Sequence, residues 1–481
     1  MSGPRGLIVA AAASHSGKTT ISVGLIAALR ARGLAVAAAK CGPDYLDPKF
    51  LEAASGRPAI NLDPWAMSAE TLRARLAVQA EGAELVVVEG VMGLFDGGPG
   101  GAGSTASLAR IAGLRVVLVV GAQGLAQTVA AVAEGCARLA EGFEVAGAIV
   151  NLVGSERHTA LIREGFGRSS VPLLGLVRRD PAVALPSRHL GLVQAEENEG
   201  LAGKIGRTAE LVGEGCDLDR IVGVAGPIRS PPSCGEGSGE GERRKYRHDE
   251  EPQSSGNHER RRVPPSPLPS PPPQGGRGRL RPLGQRIAVA GDLAFGFAYP
   301  HLLGDWREQG AEISFFSPLA DEGPPEDADA VFLPGGYPEL HAGRIAAAAK
   351  FTACMESAAQ RGTVIYGECG GYMVLGERLV DADGQAHRML GLLPVSTSFA
   401  ERKLHLGYRR LQPLGDLPWA GPLSAHEFHY ASILAEGGAD RLFEARDAAG
   451  AALGPIGLRR ARVMGSFAHV IDQLDRTRPT S

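Results

Sequence analysis

The chain has 481 residues, 44% of them hydrophobic, and a formal net charge of −3. That length supports two or three domains with full-sized cores, and the near-neutral charge excludes capture of nucleic acid through bulk electrostatics. The N-terminal run GLIVAAAA is too short to cross a membrane, and the six cysteines (Cys41, Cys136, Cys216, Cys234, Cys354, Cys369) contain no C-x-x-C pair. Neither nucleic acid nor a membrane is an expected partner, and scattered thiols suit a reducing cytoplasm.

From the N-terminus, short apolar runs predict strands at 7–12, 35–39, 85–89, 116–120 and 146–150. Amphipathic stretches between them predict helices at 19–32, 68–79, 125–139 and 157–166. Strands built of continuous Val, Ile, Leu and Ala between helices imply an α/β fold with a parallel sheet covered on both faces.

The first strand runs into ASHSGKTT, which opens a helix, the context a phosphate loop needs. Ser16, Gly17, Lys18, Thr19 and Thr20 are the expected ATP-binding residues. Backbone N–H groups would surround the phosphates, Lys18 would reach the β/γ oxygens, and the Thr19 hydroxyl would meet Mg²⁺. The glycine that usually opens such a loop is replaced by Ala12. In LVVVEGVMGLFDGG an acidic residue ends an apolar strand, so Glu89 is the candidate to hold Mg²⁺ or its waters, with Asp96 second. In KCGPDYLDP, Lys40 precedes Asp44 and Asp47 in a Gly/Pro turn; the two carboxylates could share a metal or position a substrate acid, or form a plain polar loop.

Residues 227–284 break the pattern. Twelve of the 33 prolines fall there, with almost no apolar residues to offset ordering entropy, which predicts a disordered insertion between a domain at 1–226 and another at 285–481. Beyond it RIAVAG, AEISFF, DAVFLPGG and GTVIYGE predict strands, with helices at 299–309 and 340–360. LHLGYRRLQ, AHEFHYASI and PIGLRRARVMGSF predict a strand-rich, mixed or antiparallel last third.

YGECGGY fits G-x-C-x-G between a strand and a helix, a sharp turn that exposes a cysteine at a helix N-terminus. Cys369 is thus a candidate nucleophile, with buried packing as the alternative. LPGGY offers the Gly335 and Gly336 backbone N–H groups as an oxyanion hole. His469, in GSFAHVID, is the leading base, with His405, His426 and His429 as competitors.

The stretches KCGPDYLDP, NLDPWAM, VEGVMGLFDG, FFSPLADE, LPGGYPELHA, GECGGYM, HEFHY and GSFAH together resemble the cobyrinic/hydrogenobyrinic acid a,c-diamide synthases of cobalamin biosynthesis. The resemblance implies a P-loop, dethiobiotin-synthetase-like ligase domain followed by a flavodoxin-like class I glutamine amidotransferase domain. Cys369 and His469 would release ammonia from L-glutamine. ATP with Mg²⁺, held by Thr19, Glu89 and Asp47, would turn the a and c carboxylates of a corrinoid into acyl phosphates. Lys40, Asp44, Tyr45, Leu46, Asp47 and Asp96 would serve the corrinoid and metal site, and a homodimer is implied. Triad amidotransferases carry a glutamate two residues after the histidine; here that position is Ile471, so the group orienting His469 is unassigned. Metal-free hydrogenobyrinic acid is the favoured substrate, cobalt-bearing cobyrinic acid the alternative. Amidation of nickel sirohydrochlorin, cobyric acid synthesis and a ParA-like ATPase are more distant rivals.

Overall fold

The computed structural model describes residues 3–184, 187–188, 191–192, 194–228, 279–415 and 417–474. Most of the proline-rich insertion, 229–278, lies outside the described residues. Its flanks are built into the fold: Gly226–Pro227 pairs with the first strand, and Leu280 and Leu283 are buried.

The apolar runs of the first half become a seven-stranded parallel sheet. In chain order the elements are β1 (Arg5–Ala11), α1 (Lys18–Ala31), β2 (Val36–Cys41), α2 (Asp47–Ser55), β3 (Ile60–Leu62), α3 (Ala69–Gln79), β4 (Leu85–Glu89), α4 (Thr105–Ala112), β5 (Arg115–Gly121), α5 (Thr128–Arg138), β6 (Val145–Val153), α6 (Glu156–Phe166) and β7 (Leu173–Arg178). The strand order is β3-β2-β4-β1-β5-β6-β7. Successive residues alternate between two cores: Ile8, Val88 and Leu118 face one, and Leu7, Val87 and Val117 the other. Burial on both faces is why these strands read as unbroken apolar runs. A short hairpin, β8 (Ser187–Arg188) and β9 (Gly191–Leu192), precedes α7 (Leu201–Gly215), α8 (Leu218–Val224) and β10 (Gly226–Pro227). The predicted helix at 125–139 begins only at Thr128. The glycine-rich α7 has weak intrinsic propensity and is held by packing on α1.

The second half contains β11 (Arg286–Ala290), α9 (Pro300–Glu308), β12 (Glu312–Phe316), β13 (Ala330–Leu333), α10 (Ala342–Ala347), α11 (Ala349–Gln360), β14 (Val364–Glu368), α12 (Gly370–Leu375), β15 (Arg378–Val380), β16 (Ala386–Arg388), β17 (Val395–Ser398), β18 (His405–Pro413), β19 (Leu423–His429), β20 (Ser432–Glu436), β21 (Asp440–Asp447), β22 (Ala452–Arg460), β23 (Val463–Ser466) and β24 (His469–Gln473). The predicted helix at 340–360 is thus two helices, broken where Ala348 takes ψ 84°. PIGLRRARVMGSF is two strands, turned at Ala461 (φ 53°).

A ten-stranded sheet runs β12-β11-β13-β14-β23-β22-β21-β18-β19-β24. It is parallel as far as β23 and antiparallel beyond. Phe467 and Ala468 alone separate β23 from β24, although four strands lie between them in the sheet order. The antiparallel part must therefore curl back, and Val470 on β24 donates its N–H to Glu368 at the end of β14 (2.9 Å).

The two halves share one core. Leu62, Met67 and Leu72 of the first belong to the same hydrophobic cluster as Tyr299, Leu302, Trp306 and Leu423 of the second. Arg75 on α3 crosses this junction to Asp305 on α9 (2.6 Å) and lies 3.7 Å from Asp472 on β24. Trp65 stacks on Tyr408 (4.3 Å), and the Ser424 hydroxyl donates to the Ala66 carbonyl (2.8 Å).

Candidate active sites

β1 delivers the chain to the centre of the first sheet, where a loop turns into α1. Gly17 takes φ 79°, and a Cβ there would lie 2.1 Å from Asn151 Nδ2. Only glycine fits, because that amide reaches over the loop to donate to the Ser16 carbonyl (3.0 Å). The Ser16 hydroxyl donates back to Ala13 (2.8 Å), and Thr20 borders a cavity of 350 Å³ shared with His15, Gly17, Asn151, Arg178 and Asp180.

Strand register assembles the charged cluster. β2 and β4 pair Lys40 opposite Glu89, and Glu89 also pairs with Val9 on β1 just before the loop. Glu89 Oε1 therefore accepts from the Thr19 hydroxyl (2.7 Å) and Lys40 Nζ (3.2 Å), with Lys18 Nζ at 3.7 Å. Lys40 also pairs with Asp47 (2.6 Å) and donates to the Gly90 carbonyl (2.9 Å). Burial opposes the charge on Lys40, but Asp47, Glu89 and Asp44 outweigh it and raise its pKa. Burial and neighbouring Lys40 instead lower Lys18, a cation short of negative charge. Burial would raise Asp47, yet Lys40 and Lys18 hold it below the ordinary range. Asp44 is pushed up to about 6 by burial and by Asp47, and accepts the N–H groups of Leu46 and Asp47 (2.8 Å each).

Glu89 is 0% exposed, and its Oε2 makes no hydrogen bond among the described residues. A buried orphan carboxylate oxygen beside a threonine hydroxyl is a donor set that fits a hard divalent cation. Asp96 does not join it. That residue is exposed, takes the Gly93 N–H (3.0 Å), and has no hydrogen bond or ion pair to the cluster among the described residues.

The second candidate site begins where β14 ends. Cys369 takes φ 48° and ψ −104°, a strained conformation for a residue with a side chain, and caps α12. Its N–H donates to Ser466 on β23 (2.8 Å). A Cβ on Gly335 would lie 2.3 Å from His469 Cε1 and 3.3 Å from Cys369 Cβ, so the missing side chain leaves the space on which histidine and cysteine converge. A Cβ on Gly370 would meet the Gly336 amide nitrogen at 3.0 Å, which places that N–H at the elbow. Burial and then Glu339 push the Cys369 thiol up, opposed by the Gly370 N–H.

Of the competing histidines, His429 and His405 are engaged in their own cluster, while His426 faces His469 but is held neutral. His426 pairs opposite His469 on β19 and is pushed down to about 3, by burial first and then by His469. His429 stacks on Phe467 (3.9 Å) with Nδ1 3.1 Å from the Ala431 carbonyl and Nε2 2.8 Å from Glu427, and His405 stacks on it (4.7 Å). His405, Glu427 and His429 are close enough to share a cation. Arg409 already occupies the other Glu427 oxygen (2.7 Å), which makes the cluster an internally neutralised one.

The loop after β2 joins the two sites. Asp47 faces Lys40, while the Tyr45 ring lies 4.5 Å from His469, 5.2 Å from Phe297 and 4.9 Å from Tyr299. Leu46 packs with Phe297 and Tyr337. Tyr45 and Leu46 thus turn towards the cysteine site rather than towards the phosphate loop.

Residues 7–193 match the CobQ/CobB/MinD/ParA nucleotide binding domain, and residues 286–476 match the CobB/CobQ-like glutamine amidotransferase domain. Over 467 residues the chain is 51% identical to a hydrogenobyrinate a,c-diamide synthase of Sinorhizobium sp., covering 97% of this chain and 98% of the relative. It is 50% identical to the enzyme of that name from Rhizobium meliloti (strain 1021), covering 97% and 99%, and 46% identical to the one from Rhodobacter capsulatus, covering 98% and 99%. The chain belongs to the hydrogenobyrinate a,c-diamide synthase family.

Membership makes it an ATP-dependent ligase with a glutamine amidotransferase half, the order of activities in which its two candidate sites occur. Three further residues border these sites. Asn151 is visible only as a polar residue at the C-terminal edge of a parallel strand, where ligands of such sheets bind. Asn61, in NLDPWAM, donates to the Gly42 and Asp44 carbonyls (2.9 and 2.8 Å) and so braces the bridging loop. Tyr299, whose hydroxyl lies 3.1 Å from that of Tyr45, has no local signal at all.

Proposed function

We propose that this chain amidates the a and c carboxylates of hydrogenobyrinic acid, taking ammonia from L-glutamine and driving the reaction with ATP and Mg²⁺. The relatives' shared name supports the substrate. The observation that carries the coupling is the loop 44–47, with Asp47 on the phosphate-loop cluster and Tyr45 against His469.

A carboxylate and ammonium do not condense at neutral pH, so the acid needs a leaving group. Transfer of the ATP γ-phosphoryl to the corrinoid carboxylate supplies one, and ammonia then displaces phosphate. Ser16, Gly17 and Thr20 hold the phosphates, and Lys18 neutralises charge on the transferring group. The 350 Å³ cavity beside Thr20 and Asn151 takes the rest of the nucleotide. Thr19, Glu89 and Asp47 would hold Mg²⁺, which when bound neutralises developing phosphoryl charge. Lys40 pairs with both Glu89 and Asp47 and so holds the two carboxylates in place. Asp44 orients the loop through its two backbone bonds, and the exposed Asp96 would meet the corrinoid.

In the other half the Cys369 thiolate attacks the glutamine amide, the Gly335–Gly336 backbone receives the oxyanion, and His469 protonates the departing ammonia. Tyr45, Leu46, Phe297, Tyr299 and Tyr337 form the dry wall along which neutral ammonia reaches the acyl phosphate. The functional chain is a 1–226 ligase domain and a 285–481 amidotransferase domain around a 227–284 insertion, and it works as a cytoplasmic homodimer. No helix among the described residues is long and apolar enough to cross a membrane. Light scattering at twice the chain mass checks the dimer.

The deciding assay is glutamine-dependent ATP hydrolysis with mass spectrometry of the product. Hydrogenobyrinic and cobyrinic acids are offered separately. Conversion of the metal-free acid to its diamide is expected; preference for the cobalt complex would move the enzyme to that substrate, and amidation of neither would overturn the reading.

A further inference from the structure

The histidine beside the elbow needs a partner that the sequence does not place. The position two residues beyond His469 is Ile471, which is buried and whose carbonyl oxygen lies 3.1 Å from His301 Nε2. His469 itself is 0% exposed, and neither ring nitrogen makes a hydrogen bond among the described residues. A buried imidazole that must accept a proton is poorly served by that arrangement unless an anion faces it.

One carboxylate does. Glu368, the residue immediately before the nucleophile, is 1% exposed and places Oε2 3.6 Å from His469 Nδ1. Its other oxygen accepts the Val470 N–H (2.9 Å), so the carboxylate is tied to the backbone next to the histidine it faces. The fold explains how neighbours in sequence reach the same imidazole. Glu368 ends β14 opposite Ser466 of β23, the left-handed turn at Cys369 redirects the following side chain, and β24 starts at His469 two residues beyond β23.

The other groups around the ring cannot replace it. His426, opposite in register, is held neutral by burial and by His469. The phenols of Tyr45 and Tyr299 are raised well above their ordinary value, by burial first, and stay uncharged. Cys369 is the proton donor of the pair rather than its anchor.

We propose that Glu368 is the positioning residue of the glutaminase, taking the place of the absent triad acid from the opposite side of the sequence. The inference rests on the Cys369–His469 reading above. Glu368 Oε2 draws the Nδ1–H of His469 towards it, closing the 3.6 Å gap when glutamine binds. That fixes the tautomer whose Nε2 carries a free lone pair. Nε2 takes the Cys369 proton as sulfur attacks the amide carbon, and returns it to the nitrogen as the C–N bond breaks and ammonia leaves. Water then cleaves the thioester to glutamate and free thiol, with Nε2 relaying its proton to sulfur.

Glu368→Gln tests this, since an amide oxygen still accepts the Val470 N–H but no charge faces Nδ1. The expected result is a fall of about 100-fold or more in glutamine-dependent kcat, by analogy with loss of a triad acid. The glutamine KM should stay within about 3-fold and ammonia-driven amidation within about 2-fold. The pH profile for alkylation of Cys369 by iodoacetamide should shift, because the Glu368 charge acts on the imidazole and, directly, on the thiol. Glutamine-dependent turnover within about 3-fold of wild type, or a fall with the alkylation profile unmoved, would overturn the proposal. If the variant loses ammonia-driven amidation too, ¹⁵N NMR of wild-type His469 decides. A protonated Nδ1 supports the proposal and a protonated Nε2 sinks it. A wild type without any glutaminase activity would instead remove the Cys369–His469 reading, and this inference with it.

Discussion

The Tyr45 ring lies 4.5 Å from the His469 imidazole, although the tyrosine belongs to the ligase half and the histidine to the amidotransferase half. Four residues, Asp44 to Asp47, therefore touch both chemistries at once. Removing the ring should open the wall between the sites. In Tyr45→Ala, glutamine hydrolysis should outrun amide formation by about 3-fold or more, because ammonia escapes to water before it meets the acyl phosphate. Tyr45→Phe keeps the packing and loses only the contact with the Tyr299 hydroxyl, at a cost of about 1 kcal/mol. It should remain close to one glutamate per amide. Product stoichiometry checks both; tight coupling in Tyr45→Ala would mean the ring walls nothing.

Glu89 accepts from Thr19 and Lys40 and forms an ion pair with Lys18. In Glu89→Gln the cation-fitting oxygen is lost, and the buried Lys40 and half-buried Lys18 ammonium groups lose a counter-charge. ATP-dependent amidation should fall by about 100-fold or more, while hydrolysis of glutamine to glutamate stays within about 2-fold. A parallel fall in both activities would show that Glu89 supports the fold as a whole rather than the phosphoryl-transfer site.

How much of this was legible along the chain depended on how local each signal is. Gly17, Lys18 and Thr19 are adjacent and imply their own loop; Gly367, Cys369 and Gly371 imply their own elbow. The pairing of Lys40 with Glu89 follows only once β2 and β4 are neighbours, a property of strand order that spacing does not carry. Glu368 was in plain view beside Cys369, but its relation to His469 depends on the curl that brings β24 back to β14. Asp96 shows the reverse case: a carboxylate in a legible loop whose side chain accepts the Gly93 N–H and makes no hydrogen bond to the Glu89 cluster among the described residues. The helix at 340–360 read as continuous because the break at Ala348 is a backbone event in an alanine-rich run, with no Gly or Pro to mark it.

Arg75 is buried at the junction with Asp305 at 2.6 Å and Asp472 at 3.7 Å. Burial raises Asp305, and Arg75 is the main force opposing that rise. Arg75→Leu should cost about 3–5 kcal/mol of unfolding free energy, since it strands carboxylates in the shared core. Because both halves meet there, the loss should appear as a single lowered unfolding transition in denaturant. Two separated transitions, one unshifted, would mean that the halves do not fold as one body.

Glu427 gives a pH dependence of definite sign. Burial works to raise it, but its bond to His429 and the charges of His429 and Arg409 prevail and lower it from 4.5 to about 2. A folded-state value below the unfolded one stabilises the protein above about pH 4.5, and that stability drains away as the pH falls towards 2. The shift corresponds to on the order of 3 kcal/mol. Asp63 works the other way. Burial raises it to about 6, so its contribution is full below its ordinary value of 3.8 and is lost as the pH rises through 6. Acid titration of the wild type alone mixes the two. The difference between wild type and Glu427→Gln isolates the first, because glutamine has nothing to titrate. Unfolding free energies at pH 6, 4.5 and 3 should show the gap widest at pH 6 and narrowing at each step down. A gap constant across that range would mean that Arg409 and His429 hold a carboxyl group whose charge the fold does not need.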